Sequence, residues 1–139
     1  MFEAFLKENV IVPEVEKAVI SKRFLGKDGK PVPWELRAIS EEKHTEIKRD
    51  CTRRKRVKGR METDFDNQRY LRRLAAASVV LPDLKNADLQ KSWGVVGEEE
   101  LLAAMLLPGE MTELQNRVQE INGFDLETAE QEMDEIKNS

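Results

Sequence analysis

The sequence predicts an α+β fold that is mainly α-helical, with an N-terminal β-hairpin followed by a helical bundle of about four to five helices. Before residue 40, apolar residues alternate with polar ones on both sides of a turn-rich segment, as in a hairpin. Beyond residue 40 they recur at spacings of three and four, which is typical of amphipathic helices. We expect a single compact domain over residues 1–124 and an acidic C-terminal helix or flexible tail over residues 125–139.

The predicted hairpin spans about residues 15–39. A Gly-Lys-Asp-Gly-Lys turn separates its two strands, and apolar residues occupy alternate positions in each strand. These positions are Ala18, Ile20 and Phe24 in the first strand, and Val32, Trp34, Leu36 and Ala38 in the second. Pro31 and Pro33 lack an N–H donor, which places the start of the second strand at an edge of the sheet.

Four helices follow, each with a recognisable start or stop signal. They are predicted at about residues 41–57, 67–81, 98–107 and 110–122. Ser40 and Asp66 have side chains suited to capping the first and second helices. Gly59 ends the first helix, Pro82 ends the second, and Pro108 separates the third from the fourth.

The composition argues against membrane and secreted proteins. No apolar run approaches the roughly 20 residues that a membrane-spanning helix needs, and the N-terminal sequence lacks the basic region and cleavage site of a signal peptide. Cys51 is the only cysteine, so no internal disulfide forms, as is usual in a reducing compartment. We therefore expect a soluble cytoplasmic protein without a membrane partner.

The residues that could carry chemistry do not form a recognisable catalytic, metal or cofactor site. His44 and Cys51 share one face of the predicted first helix, but metal sites need three or four ligands and no carboxylate spacing completes this pair. A half-buried histidine and a buried thiol are the simpler interpretation. The glycine-rich turn at 26–30 lies between strands and lacks the pattern of a phosphate-binding loop. The expectation is a non-enzymatic protein without cofactors.

Charge is distributed unevenly along the chain. Residues 1–97 contain 21 Lys or Arg and 15 Asp or Glu, whereas residues 98–139 contain 2 and 12. Such asymmetry indicates an interaction tail, or ends of the chain that attract each other. The complementary charges leave self-association open.

The strongest positive cluster is a candidate basic patch between residues 48 and 60. A run of this kind could neutralise several phosphates, and nucleic-acid binding would then weaken steeply with salt. No DNA- or RNA-binding motif accompanies it, so a solvated helix face ending in a loop is the preferred interpretation. Pairing with the acidic C-terminal segment, within one chain or between copies, is another. The patch comprises Arg49, Arg53, Arg54, Lys55, Arg56, Lys58 and Arg60.

A second candidate site is an apolar stripe on the C-terminal helices. Within the helix at 110–122, apolar residues fall at i, i+3, i+7 and i+10, and residues 126–136 repeat this pattern weakly. Such a stripe most often belongs to the core, but a face containing Met also suits recognition of an amphipathic helix. The hypothesis places a partner contact on Met105, Met111, Leu114, Val118, Ile121 and Met133.

The order of elements, together with two segments, resembles a known protein family. The segments NADLQKSWGV and LLAAMLLPGEMTELQNRVQEINGF are similar to the XkdN-like tail assembly chaperones of contractile-tailed phages and defective prophages. The resemblance covers about residues 14–125 and is sharpest over 86–124. It implies a non-enzymatic chaperone, made in the bacterial host cell, that binds the helix-rich tape-measure protein, keeps it soluble and helps recruit tail tube subunits. A nucleic-acid-binding or regulatory phage protein that uses the segment from Lys48 to Arg60 is the alternative.

Overall fold

The computed structural model describes residues 1–124, and the secondary structure over this range is of mixed α and β character. Residues 125–139, with Met133 and the predicted C-terminal helix or tail, lie outside the described residues. The helices are α1 Glu41–Asp50, α2 Asn67–Ser78, α3 Ala87–Ser92, α4 Glu98–Met105 and α5 Pro108–Ile121. The strands are β1 Glu16–Ala18, β2 Trp34–Leu36, β3 Thr52–Val57, β4 Arg60–Phe65 and β5 Val79–Leu81. The α+β class is confirmed, with more strand than the sequence predicted.

The predicted N-terminal hairpin exists and is part of a larger sheet. β1 pairs antiparallel with β2, so that Ala18 lies opposite Trp34, and β5 pairs with the other side of β2. β2 is therefore the central strand, and the edge position inferred from Pro31 and Pro33 is wrong. Both prolines precede Trp34, the first paired residue of β2, so their missing N–H groups do not interrupt pairing within that strand.

The second helix is shorter than predicted because its last residues form a strand. α2 ends at Ser78, and residues 79–81, which the prediction assigned to the helix, form β5. Two consecutive valines favour extended backbone, and Pro82 disfavours helical geometry at Leu81. The Arg37 N–H donates to the Ser78 carbonyl at 2.8 Å, which joins the end of α2 to the chain just beyond β2.

The first helix is also shorter than predicted, and the correction changes the geometry of the basic patch. α1 ends at Asp50, and residues 52–57 form a strand that pairs antiparallel with β4. Lys58 and Gly59 connect the strands, with φ values of 51° and 78°. Positive φ at both central residues is what a two-residue type I′ hairpin turn requires. Gly59 is therefore a turn residue and not the end of a helix.

The third and fourth predicted helices are present as α4 and α5. Pro108 is the first residue of α5 rather than a separator, and its missing N–H costs nothing there because that group has no partner within a helix. The Glu110 side chain accepts a hydrogen bond from the Leu107 N–H at 2.8 Å, which caps the helix start. The connector that precedes α4 contains α3, which the sequence did not predict, and Asn86 caps it through the Leu89 N–H at 2.9 Å.

The hydrophobic core lies between the three-stranded sheet and the helices α2, α4 and α5. Its largest members come from β2 and from the faces of these helices that are turned inward. The largest fully buried side chains of this cluster are Leu36, Leu74, Leu101, Leu102, Leu114 and Val118. We call the three-stranded sheet and the helices packed on it the body. The apolar residues of the C-terminal helices α4 and α5 are therefore part of the core of this body.

Candidate partner-binding surfaces

Three of the six residues predicted as a partner contact lie inside the core. Leu114 and Val118 are 0% and 1% exposed, and Met105 is also buried. A partner would reach these side chains only if α5 left the body. Met111 and Ile121 are half-buried against the core, so the contact predicted for them stays a prediction.

The part of the stripe nearest to solvent is a shallow depression between α2 and α5. Its volume is about 210 Å³, and Met111 lines it together with Gln68, Leu71, Arg72 and Gln115. The depression has one methionine and one leucine among polar neighbours. It offers a small contact area rather than a long groove.

An ion pair holds the start of α5 against the segment that follows β1. Arg23 donates from Nη2 to Glu110 Oε1 at 2.6 Å and to the Met105 carbonyl at 2.7 Å, and its Nε reaches Glu110 Oε2 at 3.3 Å. The Arg23 hydrogen bonds, with that from Leu107, lower the pKa of Glu110 to about 2. The Glu110 carboxylate thus caps α5 and pairs with Arg23 at the same time.

The basic patch forms an exposed β-hairpin, which we call the basic hairpin and define as residues 52–65. Every residue of β3 and β4 is exposed. The patch residues Arg53, Arg54, Lys55 and Arg56 belong to β3, and Arg60 begins β4. Of the remaining patch residues, Lys58 lies in the turn and Arg49 in α1. The helix face expected for these residues is therefore replaced by a two-stranded ribbon.

The two faces of the basic hairpin differ in how their charges are matched. Residues directly opposite each other in a hairpin point to the same face. On one face, Arg53 lies opposite Asp64 and Lys55 opposite Glu62, so that each cation has an acidic residue in register, and Arg53 pairs with Asp66 at 3.3 Å. We call the other face the arginine face; its members are Thr52, Arg54, Arg56, Met61, Thr63 and Phe65.

The arginine face carries cations without acidic neighbours, beside exposed apolar groups. Arg54 lies opposite Thr63 and Arg56 opposite Met61. Within residues 1–124, neither arginine forms an ion pair. Met61 is 61% exposed and Phe65 is 43% exposed. This face therefore presents positive charge and apolar surface side by side.

A row of four rings connects the base of the basic hairpin to the end of α5. The ring of Phe65 lies 5.4 Å from Tyr70, Tyr70 lies 5.5 Å from His44, and His44 lies 5.7 Å from Phe124. His44 Nε2 and the Tyr70 hydroxyl share a hydrogen bond of 2.5 Å, and burial raises the pKa of Tyr70. We call these residues the aromatic row. Sequence reasoning missed it because its members come from four separate segments with no common local pattern.

His44 and Cys51 have separate environments. His44 belongs to the aromatic row, whereas Cys51 is 1% exposed at the end of α1, where burial raises the pKa of its thiol. In the described part of the chain, no group of three or more His, Cys, Asp or Glu side chains is placed to hold a metal ion. The same part contains no helix with the length and apolar character needed to cross a membrane.

One cleft within residues 1–124 has a charged lining. It lies between α1, α2 and the start of α4, with a volume of about 550 Å³. Ile47, Ala76 and Leu84 supply apolar lining, and charges of both signs surround them. The charged residues are Lys43, Arg69, Arg73, Asp83, Lys85, Glu98, Glu99 and Glu100. The lining of the cleft within the described residues contains no Ser, Cys or His.

Comparison with known families gives a match over almost the whole chain. A family model described as phage XkdN-like tail assembly chaperone protein matches residues 2–137. Phage-like element PBSX protein XkdN of Bacillus subtilis strain 168 is 36% identical over 132 residues, which cover 92% of this chain and 89% of that protein. The protein YqbN of the same strain is 34% identical over 123 residues, covering 87% of this chain and 83% of that protein.

A solved structure shares the fold. The crystal structure of the protein YqbN superposes with a TM-score of 0.76 at 28% sequence identity. The match covers 88% of this chain and 95% of that chain.

Proposed function

Since the chain belongs to the XkdN-like family of phage tail assembly chaperones, we propose that it binds the tape-measure protein, keeps it soluble and helps recruit tail tube subunits. The observation that carries this proposal is the family match over residues 2–137, which includes both the body and the basic hairpin. In this proposal the protein acts without catalysis, in the cytoplasm of the bacterial host.

The proposed partner presents long amphipathic helices, and a chaperone has to cover their apolar stripes with side chains that are accessible. The buried stripe of α5 does not meet this requirement, because Leu114 and Val118 already pack inside the body. The arginine face does meet it. Exposed Met, Phe and Arg are residue types enriched at protein interfaces. We therefore place the main contact on Arg54, Arg56, Met61 and Phe65.

Many modest contacts on an exposed ribbon also suit a chaperone that must release its client. An interaction that combines partly exposed arginines with two apolar side chains is weakened by salt and has no deeply buried anchor. Release would then accompany polymerisation of the tube, when the tube subunits cover the same helices.

The second candidate function is nucleic-acid binding by the same hairpin. A two-stranded β-ribbon fits the major groove of DNA, and the unmatched arginines Arg54 and Arg56 could contact phosphates or bases. A gel-shift titration of the whole protein with duplex DNA at increasing salt distinguishes the two functions. Counterion release would make the logarithm of affinity fall linearly with the logarithm of salt concentration.

The experiment that tests the proposal is affinity purification of the tagged full chain from induced host cells at moderate salt, followed by mass spectrometry. The test variant is R54Q/R56Q, and the matched control is R53Q/K55Q, which removes the same charge from the other face of β3. We expect the tape-measure protein to be recovered with the unmodified chain and with the control variant, but not with the test variant. Recovery of nucleic acid without any tail protein would overturn the proposal, and equal capture by both variants would overturn the placement of the contact.

A further inference from the structure

We propose that the acidic segment 125–139 of the same chain docks on the arginine face of the basic hairpin. The arginine face is exposed, and the body leaves it uncovered. Three features favour this segment as its ligand: the place where the described chain ends, the length of the segment, and the charges and apolar side chains on both sides. This docking is independent of the identity of the phage protein that the chaperone binds.

The described chain ends at one end of the aromatic row, and the other end of the row lies in the arginine face. Phe124, the last described residue, has its ring 5.7 Å from His44. From there the aromatic row leads through Tyr70 to Phe65, which is itself a member of the arginine face. The end of the described chain is thus connected by ring contacts to the one face that lacks acidic neighbours.

The segment is long enough to cover that face. Fifteen extended residues span about 50 Å, whereas a six-residue strand such as β3 or β4 is about 20 Å long. Each step along the aromatic row is shorter than 6 Å. The segment is therefore long enough to extend from the end of the described chain to the tip of the hairpin.

The charges of the two partners favour the acidic segment as the ligand and the arginine face as its binding surface. Residues 125–139 contain six acidic residues and one lysine. Arg54 and Arg56 lie opposite uncharged residues, whereas Arg53 and Lys55 lie opposite Asp64 and Glu62. An incoming carboxylate consequently gains more on the arginine face, where no hairpin carboxylate competes with it. Screening limits such attraction to about 8 Å at physiological salt, so the pairing requires direct contact.

The acidic segment and the arginine face also both carry apolar side chains that could pack together. The segment carries Leu126, Met133 and Ile136, and the arginine face exposes Met61 and Phe65. Covalent attachment makes the contact intramolecular, with an effective concentration in the millimolar range for a short linker. Contacts that would be weak between separate molecules are therefore sufficient. A docked segment would compete with any other ligand of the arginine face.

Zero-length carbodiimide cross-linking of the full chain tests the proposal, because it joins only carboxylates and amines that touch. The variants R54K and R56K each place an amine on the arginine face and keep its charge. The native Lys55, one position away but on the other face, is the internal control. Mass spectrometry of peptides then locates the cross-links. A mixture of isotope-labelled and unlabelled protein distinguishes links within one chain from links between copies.

We expect links from position 54 or 56 to acidic residues of 125–139, several-fold more abundant than links from Lys55 to the same residues. They should join peptides of the same isotope label and decrease at 1 M salt. Links that join differently labelled peptides as often as equally labelled ones would overturn the proposal in favour of contact between two copies. Absence of tail links from positions 54 and 56, or equal yields from Lys55, would overturn it altogether.

Discussion

The Asn122 side chain donates from Nδ2 to the Ser78 hydroxyl at 3.1 Å, and so ties the end of α5 to the end of α2. The Asn122 Oδ1 atom accepts from the Ile39 N–H at 2.8 Å, and its Nδ2 also donates to the Val118 carbonyl at 2.8 Å. One residue thus connects two helices and the segment that follows β2. Ser78 is buried, so its hydroxyl has no access to water as a substitute partner.

Replacing Asn122 with alanine should destabilise the fold. N122A leaves the Ser78 hydroxyl and the Ile39 N–H without their present partner, and a buried group left unpaired costs about 1–3 kcal/mol. Urea unfolding followed by circular dichroism measures the change in the free energy of unfolding. N116A is the matched control, since Asn116 is exposed in the same helix and alanine is the better helix former. Equal stability of both variants would show that Asn122 has no structural role.

Truncation of Leu114 should reduce stability far more than truncation of Met111. Leu114 is fully buried, so L114A creates a cavity that costs about 2–5 kcal/mol. Met111 is only half-buried, and M111A should cost a fraction of that. An aspartate at position 114 should prevent folding rather than selectively abolish partner binding. Chemical denaturation of both alanine variants checks the order, and a stable, folded L114D would contradict the core position of the stripe.

The pairing of Glu110 with Arg23 should make stability depend on pH in the acid range. The pKa of Glu110 is lowered from 4.5 to about 2 in the folded protein. Its contribution is therefore complete above about pH 4.5 and is lost as the pH falls toward 2. We expect about 1 kcal/mol, because the pair is partly exposed to water.

The variant E110Q isolates this contribution. The difference in free energy of unfolding between the unmodified protein and E110Q should be largest near pH 6 and shrink between pH 4.5 and 2. Urea titrations at a series of pH values measure it. The pKa of Asp50 is also lowered, by its partner Arg73. Because Asp50 is present in both proteins, its contribution to the pH dependence cancels in the difference between them. A difference that does not change with pH would contradict the assignment.

The basic hairpin should unfold locally when its turn is strained. Gly59 has a φ of 78°, which a β-branched residue adopts only at a cost, so G59V should open the hairpin. Hydrogen exchange of amides at 52–65 should accelerate while the thermal midpoint of the body changes little. Gly109 provides the matched control, because it lies in α5 with no atom within 4 Å of an added Cβ. G109A should be neutral or slightly stabilising. Unchanged exchange in G59V would contradict the turn assignment.

The helices were predictable where burial and local pattern agree. α4 and α5 have apolar residues at helical spacing, and both are near their predicted bounds. Periodicity indicates that one face of a helix is buried, but not what buries it. For this reason sequence alone leaves Met105, Leu114 and Val118 open to either assignment, with the core as the commoner case. The packing of α4 and α5 on α2 places them inside.

The basic hairpin was not predictable from apolar alternation because both of its faces are exposed to solvent. The sequence features that indicate this hairpin are instead its charges and its turn. A Lys-Gly turn joins a basic strand to a strand that contains Glu62 and Asp64. β5 was missed because three residues at the end of a helical pattern have no periodicity of their own, and their pairing with β2 is a long-range contact. The resemblance to a family was readable in the residues around α4 and α5 and is confirmed by the match.

The buried Cys51 gives this protein a native chemical reporter. It is the single thiol of the chain, sits at the junction between α1 and the basic hairpin, and is closed to solvent. A thiol reagent therefore reacts only with molecules in which this junction has opened, and the labelling rate measures how often it opens. Measured with and without a bound partner, such a rate would report whether binding tightens the base of the hairpin or loosens it, without any engineered label.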